Sequence, residues 1–216
     1  MSKTWILAVG LFGFALASAG CPKKSNNDTN VGTSDASASS SASTPPPPKC
    51  EAFSENCSAT ASTQAKVAGA NVIFVPPAGW LYAQQATETI SKPKAGDGII
   101  GMAAFEATDK ELVKVRGENY DRLVGALEVT LPEKNKKKWT PNWDKPDQTR
   151  KSGDMEIKLW QLEKAKRNTK TGFVLVIIAA DASGKKVLGL AFAPEGDDKA
   201  VEAISQSLET IGPGAP

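Results

Sequence analysis

The stretch from Gly172 to Ala180 constrains this chain most, because after the glycine it runs Phe-Val-Leu-Val-Ile-Ile-Ala-Ala with no polar position. A strand with one wet face alternates apolar and polar residues, whereas one without alternation needs cover on both faces. This segment therefore predicts a central strand. Asp181 to Gly184 supplies turn residues, and Lys185 to Ala193 returns beside it as a hairpin partner.

The remaining elements are arranged around that hairpin. Asn71 to Val75 is a short β-branched and aromatic run stopped by Pro76-Pro77-Ala78-Gly79, and Trp80 opens a second strand through Gln84. Thr87 to Lys92 is a candidate strand ending before Pro93, and Ile99 to Glu106 follows the Gly96-Asp97-Gly98 turn. Thr108-Asp109-Lys110-Glu111 has capping-box spacing, and Leu112, Val115, Tyr120, Leu123, Val124 and Leu127 keep helical periodicity behind it, so a helix is predicted over Thr108 to Val129. Leu131 to Gly153 shows no periodicity and reads as a long loop, of a length that is usually functional or mobile. Met155 to Leu162 alternates as a strand and Glu163 to Thr171 reads as a polar turn region. Val201, Ile204, Leu208 and Ile211 line a closing helix over Asp197 to Ile211, capped by Asp197 or Asp198 and ended by Gly212-Pro213. The expected fold class is α+β: an antiparallel sheet of about six strands with two main helices packed on it.

Ahead of this domain the sequence changes character twice. Lys3, the apolar run Trp5 to Ala17 and the small residues Ser18-Ala19-Gly20 have the three-part layout of a secretory signal peptide over residues 1–20. The run falls short of the roughly 20 apolar residues that span a bilayer. Ala19, Gly20 and Cys21 resemble the lipobox of bacterial lipoproteins, with Ser18 where that pattern carries an aliphatic residue. The resemblance implies lipidation of Cys21, with a thioether-linked diacylglycerol and an amide-linked acyl chain such as palmitate. Two or three chains make attachment effectively permanent. Ordinary cleavage with a free Cys21 thiol is the rival reading. In lipoproteins sorted by the residue after the cysteine, Pro22 rather than Asp resembles an outer-membrane address in a two-membrane bacterium, so what the resemblance implies is a location in the cell envelope, facing the periplasm.

Residues 21–49 hold the lipidated cysteine and a Ser-, Ala- and Pro-rich linker with no aromatic residue and only Val31 among the larger aliphatics. Such a segment buries too little apolar surface to offset the cost of ordering, so a disordered tether is expected, about 30 Å in reach. Cys50 and Cys57 enclose a short loop, residues 50–63 forming this segment. In an exported chain they read as a disulfide, since two thiolates without any His do not complete a zinc site. The globular domain is expected over 64–212, with 213–216 as a disordered tail. At roughly 150 residues the domain is large enough to bury around 70% of its unfolded surface. Removing residues 1–20 takes Lys3 and no acid from a formal charge of +2, which gives no support to a nucleic-acid partner.

A strand running into Pro-x-x-Gly-Trp at Pro76 to Trp80, a strand block, a long helix, a Trp-bearing loop, three strands and a closing helix with Ser207-Leu208-Glu209-Thr210 together resemble the PsbP-like fold. That fold is shared by extrinsic lumenal photosystem II proteins and many bacterial envelope lipoproteins. What the resemblance implies is a non-enzymatic scaffold or binding domain, and functions within the fold differ widely.

The absence of His removes Ser-His and Cys-His nucleophile pairs. Ser91-Lys92-Pro93-Lys94, Ser54-Glu55-Asn56 and Lys170-Thr171-Gly172 superficially resemble the motifs of penicillin-binding proteins and serine β-lactamases. Their order is wrong, the Ser-x-x-Lys does not open a helix, and the domain is far smaller. No catalytic residue, metal or cofactor is assigned. The candidate partner-binding residues are Lys136, Lys137, Lys138, Trp139 and Trp143, where Trp supplies large stiff contacts and Lys could meet an anionic polymer or an envelope protein. The competing role for Trp139 and Trp143 is to pin the loop to the sheet while the lysines are solvated. Trp80 and Trp160 are assigned to packing. The expected function is a membrane-anchored, non-catalytic binding or assembly lipoprotein; the alternative is a small exported enzyme using carboxylate or Lys chemistry.

Overall fold

A computed structural model describes residues 50–134, 137–181 and 183–214. In chain order the strands are β1 (Ala65–Lys66), β2 (Val72–Phe74), β3 (Leu81–Gln84), β4 (Thr89–Lys92) and β5 (Ile99–Phe105), then helix α1 (Leu112–Ala126). They continue with β6 (Val129–Thr130), β7 (Glu133–Lys134), β8 (Lys137–Lys138), β9 (Gln148–Ser152), β10 (Met155–Arg167), β11 (Lys170–Ala180) and β12 (Lys186–Pro194). Helix α2 (Asp198–Glu209) and β13 (Gly212–Pro213) close the chain. The main sheet runs β3-β4-β5-β12-β11-β10-β6, with β9 also paired to β10, and all its pairings are antiparallel. It has eight strands, not about six. The extra ones, β6 and β9, are an isolated pair of residues and the wholly polar Gln-Thr-Arg-Lys-Ser, neither of which carries an apolar alternation to betray it.

The hairpin of β11 and β12 sits at the centre, as its composition demands. Side chains alternate across a strand, so Val174 and Val176 join Leu188, Leu190 and Phe192 on one face, while Ile177 and Ala179 join Val187, Ala191 and Ala193 on the other. The first face is covered by Tyr120, Leu123, Val124 and Leu127 of α1. The second is covered by Ala200, Ile204 and Leu208 of α2 and by Val72 and Phe74 of the small sheet β1-β2-β13. Each face thus has one helix.

Two features deep in this packing tolerate no side chain. A Cβ on Gly172 would stand 2.0 Å from the Ala193 carbonyl oxygen of the adjacent strand. One on Gly101 would lie 2.7 Å from Leu127, where α1 rests on β5.

Strand β10 is longer than the expected Met155 to Leu162, because the polar stretch after it remains paired to β11 through Arg167. Its register shifts between Glu163 and Ala165, and Lys164 takes φ 63°. The inserted residue changes which parity faces α1: Trp160 and Leu162 before it, Ala165 after it. Arg167 is thereby buried on the α1 side, where its Nε donates to the Leu127 carbonyl at 2.9 Å and Nη1 to that of Asp97 at 3.2 Å.

Helix α1 starts at Leu112, later than the predicted Thr108, because Thr108 does not cap it. The Thr108 hydroxyl donates to Glu111 Oε2 at 2.6 Å and the Glu111 amide to the Thr108 carbonyl at 3.0 Å, which closes a turn ahead of the helix. It ends by Leu127, not Val129, since Glu128 adopts φ 55° and leaves the helical path. Asp197 caps α2, its Oδ1 accepting from the Ala200 amide at 3.0 Å.

Residues 50–63 are part of the domain and do not precede it. Cys50 and Cys57 form a disulfide with Cα atoms 5.6 Å apart. The ring lies along β3: the Gln84 amide donates to Cys50 O at 2.6 Å, Ala59 N to Trp80 O at 2.7 Å, and Ser58 bridges to Leu81. At the other end Pro213 is no free tail, because β13 pairs with β2 and the Gly214 amide donates to Asn71 O at 3.0 Å. The proposed leader, Cys21 and the linker lie outside the described residues. Among the described residues no helix is long and apolar enough to cross a membrane.

Gly172→Ala is expected to cost about 3 kcal/mol, by overpacking against backbone that cannot yield, and urea unfolding of the purified protein measures it. Arg167→Met, which leaves buried carbonyls without donors, is expected to cost about 2 kcal/mol in the same assay.

Candidate partner-binding surface

The segment after β6 is not a structureless loop from Leu131 to Gly153. Glu133 pairs with Lys138 and Lys134 with Lys137, making the small hairpin β7–β8, and β9 then pairs with β10 from Gln148 to Ser152. What fixes the stretch between them is Trp160. Its Nε1 donates to the carbonyls of Asn142 at 2.7 Å and Lys145 at 3.1 Å, while the Gln161 amide donates to Asp147 Oδ2 at 2.7 Å. A buried indole on β10 thus supplies the polar contact that holds the loop in place.

Trp143 is the centre of the resulting surface. Its ring meets Tyr120 edge-on at 5.7 Å and Trp160 edge-on at 5.3 Å, and the Arg116 guanidinium lies 4.5 Å from its centroid. Edge-to-face aromatic pairs and a cation over an indole each stabilise by about 0.5 to 1.5 kcal/mol. Trp139 packs on the same apolar cluster, and its carbonyl accepts from the Tyr120 hydroxyl at 3.3 Å. Burial, with Asp121 adding to it, raises the Tyr120 pKa well above the phenol range, so this hydroxyl stays protonated as a donor.

Trp139 and Trp143 are both half-buried: they pack on the apolar cluster and neither residue is closed off from solvent. Lys137 and Lys138 are exposed on β8 beside them, and Lys136 lies outside the described residues. Trp80 and Trp160 are buried, in keeping with packing roles. Arg116 escaped the sequence reading. It falls four residues before Tyr120 on α1, so its position relative to the core was legible there, but nothing local indicated that Trp143 would come back to lie against it.

The residues of the three short motifs do not assemble into a nucleophilic centre. Ser91 is buried in β4 and its hydroxyl donates to the Leu81 carbonyl at 3.2 Å. Lys94 pairs with Glu55 at 3.0 Å, and Lys92 stands 4.4 Å over the Phe53 ring. Lys170 to Gly172 lie in the start of β11.

Two shallow clefts adjoin where β11 turns toward β12, sharing Ser183 and Lys185, with the Lys185–Glu106 ion pair of 2.6 Å lining the second. Asp181 in the first is occupied by the turn itself. Its Oδ1 accepts from the Ser183 hydroxyl at 2.5 Å, the Ser183 amide at 2.9 Å and the Lys185 amide at 3.0 Å, and Oδ2 from the Asn71 amide at 3.3 Å. Burial works against its charge, but these hydrogen bonds outweigh it and hold the carboxyl below its ordinary range. In the second cleft the Glu111 carboxyl is likewise lowered, first by the Thr108 hydroxyl and then by the Thr108 amide.

No family model and no curated protein matches this chain. Among solved structures it is similar to a protein of Bacteroides thetaiotaomicron at 11% identity and TM-score 0.42, covering 72% of this chain and 50% of that one. It therefore spans half the length of that protein. It is also similar to the Saccharomyces cerevisiae Ran-binding protein Mog1p at 14% identity and TM-score 0.41, covering 69% of this chain and 93% of that one. A Mog1 mutant gives 13% identity and TM-score 0.40.

Because the Asp181 carboxyl is depressed, the stability it confers is present above the ordinary carboxyl value and lost as pH falls through its own lower one. The stability gap between wild type and Asp181→Asn is expected to be widest at neutral pH. It should begin to close as pH drops below about 4, the value of an unperturbed Asp. Urea midpoints of both proteins across that range measure it.

Proposed function

We propose that this chain is an envelope lipoprotein, anchored through acyl chains on Cys21 and facing the periplasm from the outer membrane, whose α+β domain of PsbP-like kind binds or assembles a partner without catalysis. The observation that carries the binding reading is the half-buried Trp143, held between Tyr120, Trp160 and Arg116, in a segment that also carries the exposed Lys137 and Lys138 on β8. A half-buried tryptophan held on a rigid support loses little conformational freedom on contact, which is the property of a binding hot spot. The anchorage reading is supported by Ala19-Gly20-Cys21 after an apolar run too short to span a bilayer.

Mass spectrometry of the purified mature protein is expected to find Cys21 as the first residue, carrying a diacylglycerol and an acyl chain. An unmodified thiol or a retained leader would sink the anchorage. For the surface, a photo-crosslinking side chain in place of Lys138, activated in intact cells, is expected to give a discrete adduct with an envelope protein, while the same group in place of Lys199, exposed on α2, gives none. Equal labelling at both positions would count against the docking reading.

A further inference from the structure

Arginine usage in this domain is lopsided. Four arginines occur in the chain, and three have fixed protein partners. Arg122 pairs with Glu88, Arg150 donates to the Leu208 and Glu209 carbonyls, and Arg167 is held by Leu127 and Asp97. Arg116 has neither a hydrogen bond nor an ion pair to any described residue, and its Nε is buried without an acceptor. A buried donor left unpaired is costly, and native proteins pair most of them. Its contact is Trp143, with the guanidinium carbon 4.5 Å from the ring centroid, and its two Nη groups have no partner among the described residues and are not sealed from solvent.

That arrangement suits a carboxylate. The Nε is sealed within the protein, but the two Nη groups form an end-on fork, and a planar carboxylate accepts two parallel N–H bonds from such a fork. Burial lowers the Arg116 pKa, and the nearby Asp144 acts in the opposite direction. The negative charge of Asp144 also biases the site toward a singly charged ligand, since a doubly charged phosphate would meet more repulsion. One helical turn before Arg116 stands Val113, a large apolar side chain left 74% exposed. Residues three apart are neighbours on a helix surface, so an exposed apolar side chain stands one turn from the cation. Lys137 and Lys138 add positive charge on the adjoining hairpin and would speed the approach of an acidic segment.

We propose that Arg116 anchors this surface by receiving a carboxylate from an acidic, partly apolar segment of a partner protein, with Val113 taking the apolar side chain next to it. The inference rests on the docking reading of this face and names the chemistry of its partner.

The test uses the full mature chain in detergent and a synthetic peptide of Glu-Leu-Ser repeats, with a Gln-Leu-Ser peptide as control. Tryptophan fluorescence reads binding, and the Nε–H resonance of Arg116 in an NMR spectrum reads contact at the guanidinium. The Glu peptide is expected to bind and shift that resonance, and the Gln peptide to do neither. Arg116→Lys keeps the charge but not the fork, and is expected to weaken binding at least roughly tenfold while the chain stays folded at the assay temperature. Should Arg116→Lys fold poorly, the wild-type resonance still decides: one that stays put as the Glu peptide saturates overturns the proposal. Undiminished binding by Arg116→Lys, with loss in Lys137→Ser/Lys138→Ser, overturns the anchor role and leaves the docking reading standing. Failure of the wild-type chain to bind the Glu peptide overturns the proposal, and the crosslink at Lys138 then judges the docking reading separately. Arg116-dependent binding to phosphatidylglycerol vesicles or polyphosphate, without peptide binding, overturns it in favour of those ligands.

Discussion

Both faces of β11 and β12 are apolar, and the architecture follows from having to cover them. Burying apolar area stabilises by roughly 25 cal/mol per Å², so leaving either face of the central hairpin wet would forfeit most of what holds the domain together. The chain solves this unequally. One side receives α1 with the Trp143 segment beside it, the other α2 with the small sheet β1-β2-β13. Close seating depends on missing side chains: Gly101 admits Leu123 and Leu127, and Gly98 lies within reach of Trp80 and Ala200.

The helices are also tied to the sheet electrostatically. Neither carries a basic residue in its last turn, so the partial negative charge at each C-terminus has no local complement. It is supplied from the far edge of the sheet. Arg167 of β10 reaches the Leu127 carbonyl at the end of α1, and Arg150 of β9 reaches the Leu208 and Glu209 carbonyls at the end of α2. Burial lowers the pKa of Arg150, with Glu209 opposing the shift. The Arg167 contact exists because Lys164 is inserted into β10. Were Lys164 paired in the ladder rather than bulged out of it, the Arg167 side chain would fall on the opposite face, and α1 would end on bare carbonyls.

How much of this could be read from residues alone depended on whether the signal was local. The central hairpin announced itself through an unbroken apolar run, and α2 through its cap at Asp197 and its single apolar stripe. Thr108 and Glu111 were legible as an interacting pair but not as a turn, because the same spacing serves both. Strand β9 was invisible: Gln148 to Ser152 is polar throughout and is a strand only because β10 offers it an edge. The continuation of β10 past Leu162 was hidden by Glu163 and Lys164, whose polarity marks a bulge that sequence reading took for a turn. For the candidate surface, Trp139, Trp143 and the lysines were visible as a composition, whereas Arg116 over Trp143 is a contact between segments far apart in the chain and had no local signature.

The Cys50–Cys57 ring has a further consequence for how the domain joins whatever precedes it. The exposed residues Glu51, Ala52, Ser54, Glu55 and Asn56 lie inside a closed covalent loop. A protease that cut once between them would open the loop without severing the chain, since the disulfide still joins Cys50 to Cys57. Shedding the domain at that point takes a second event, reduction, so the junction behaves as a two-key lock that proteolysis alone does not open.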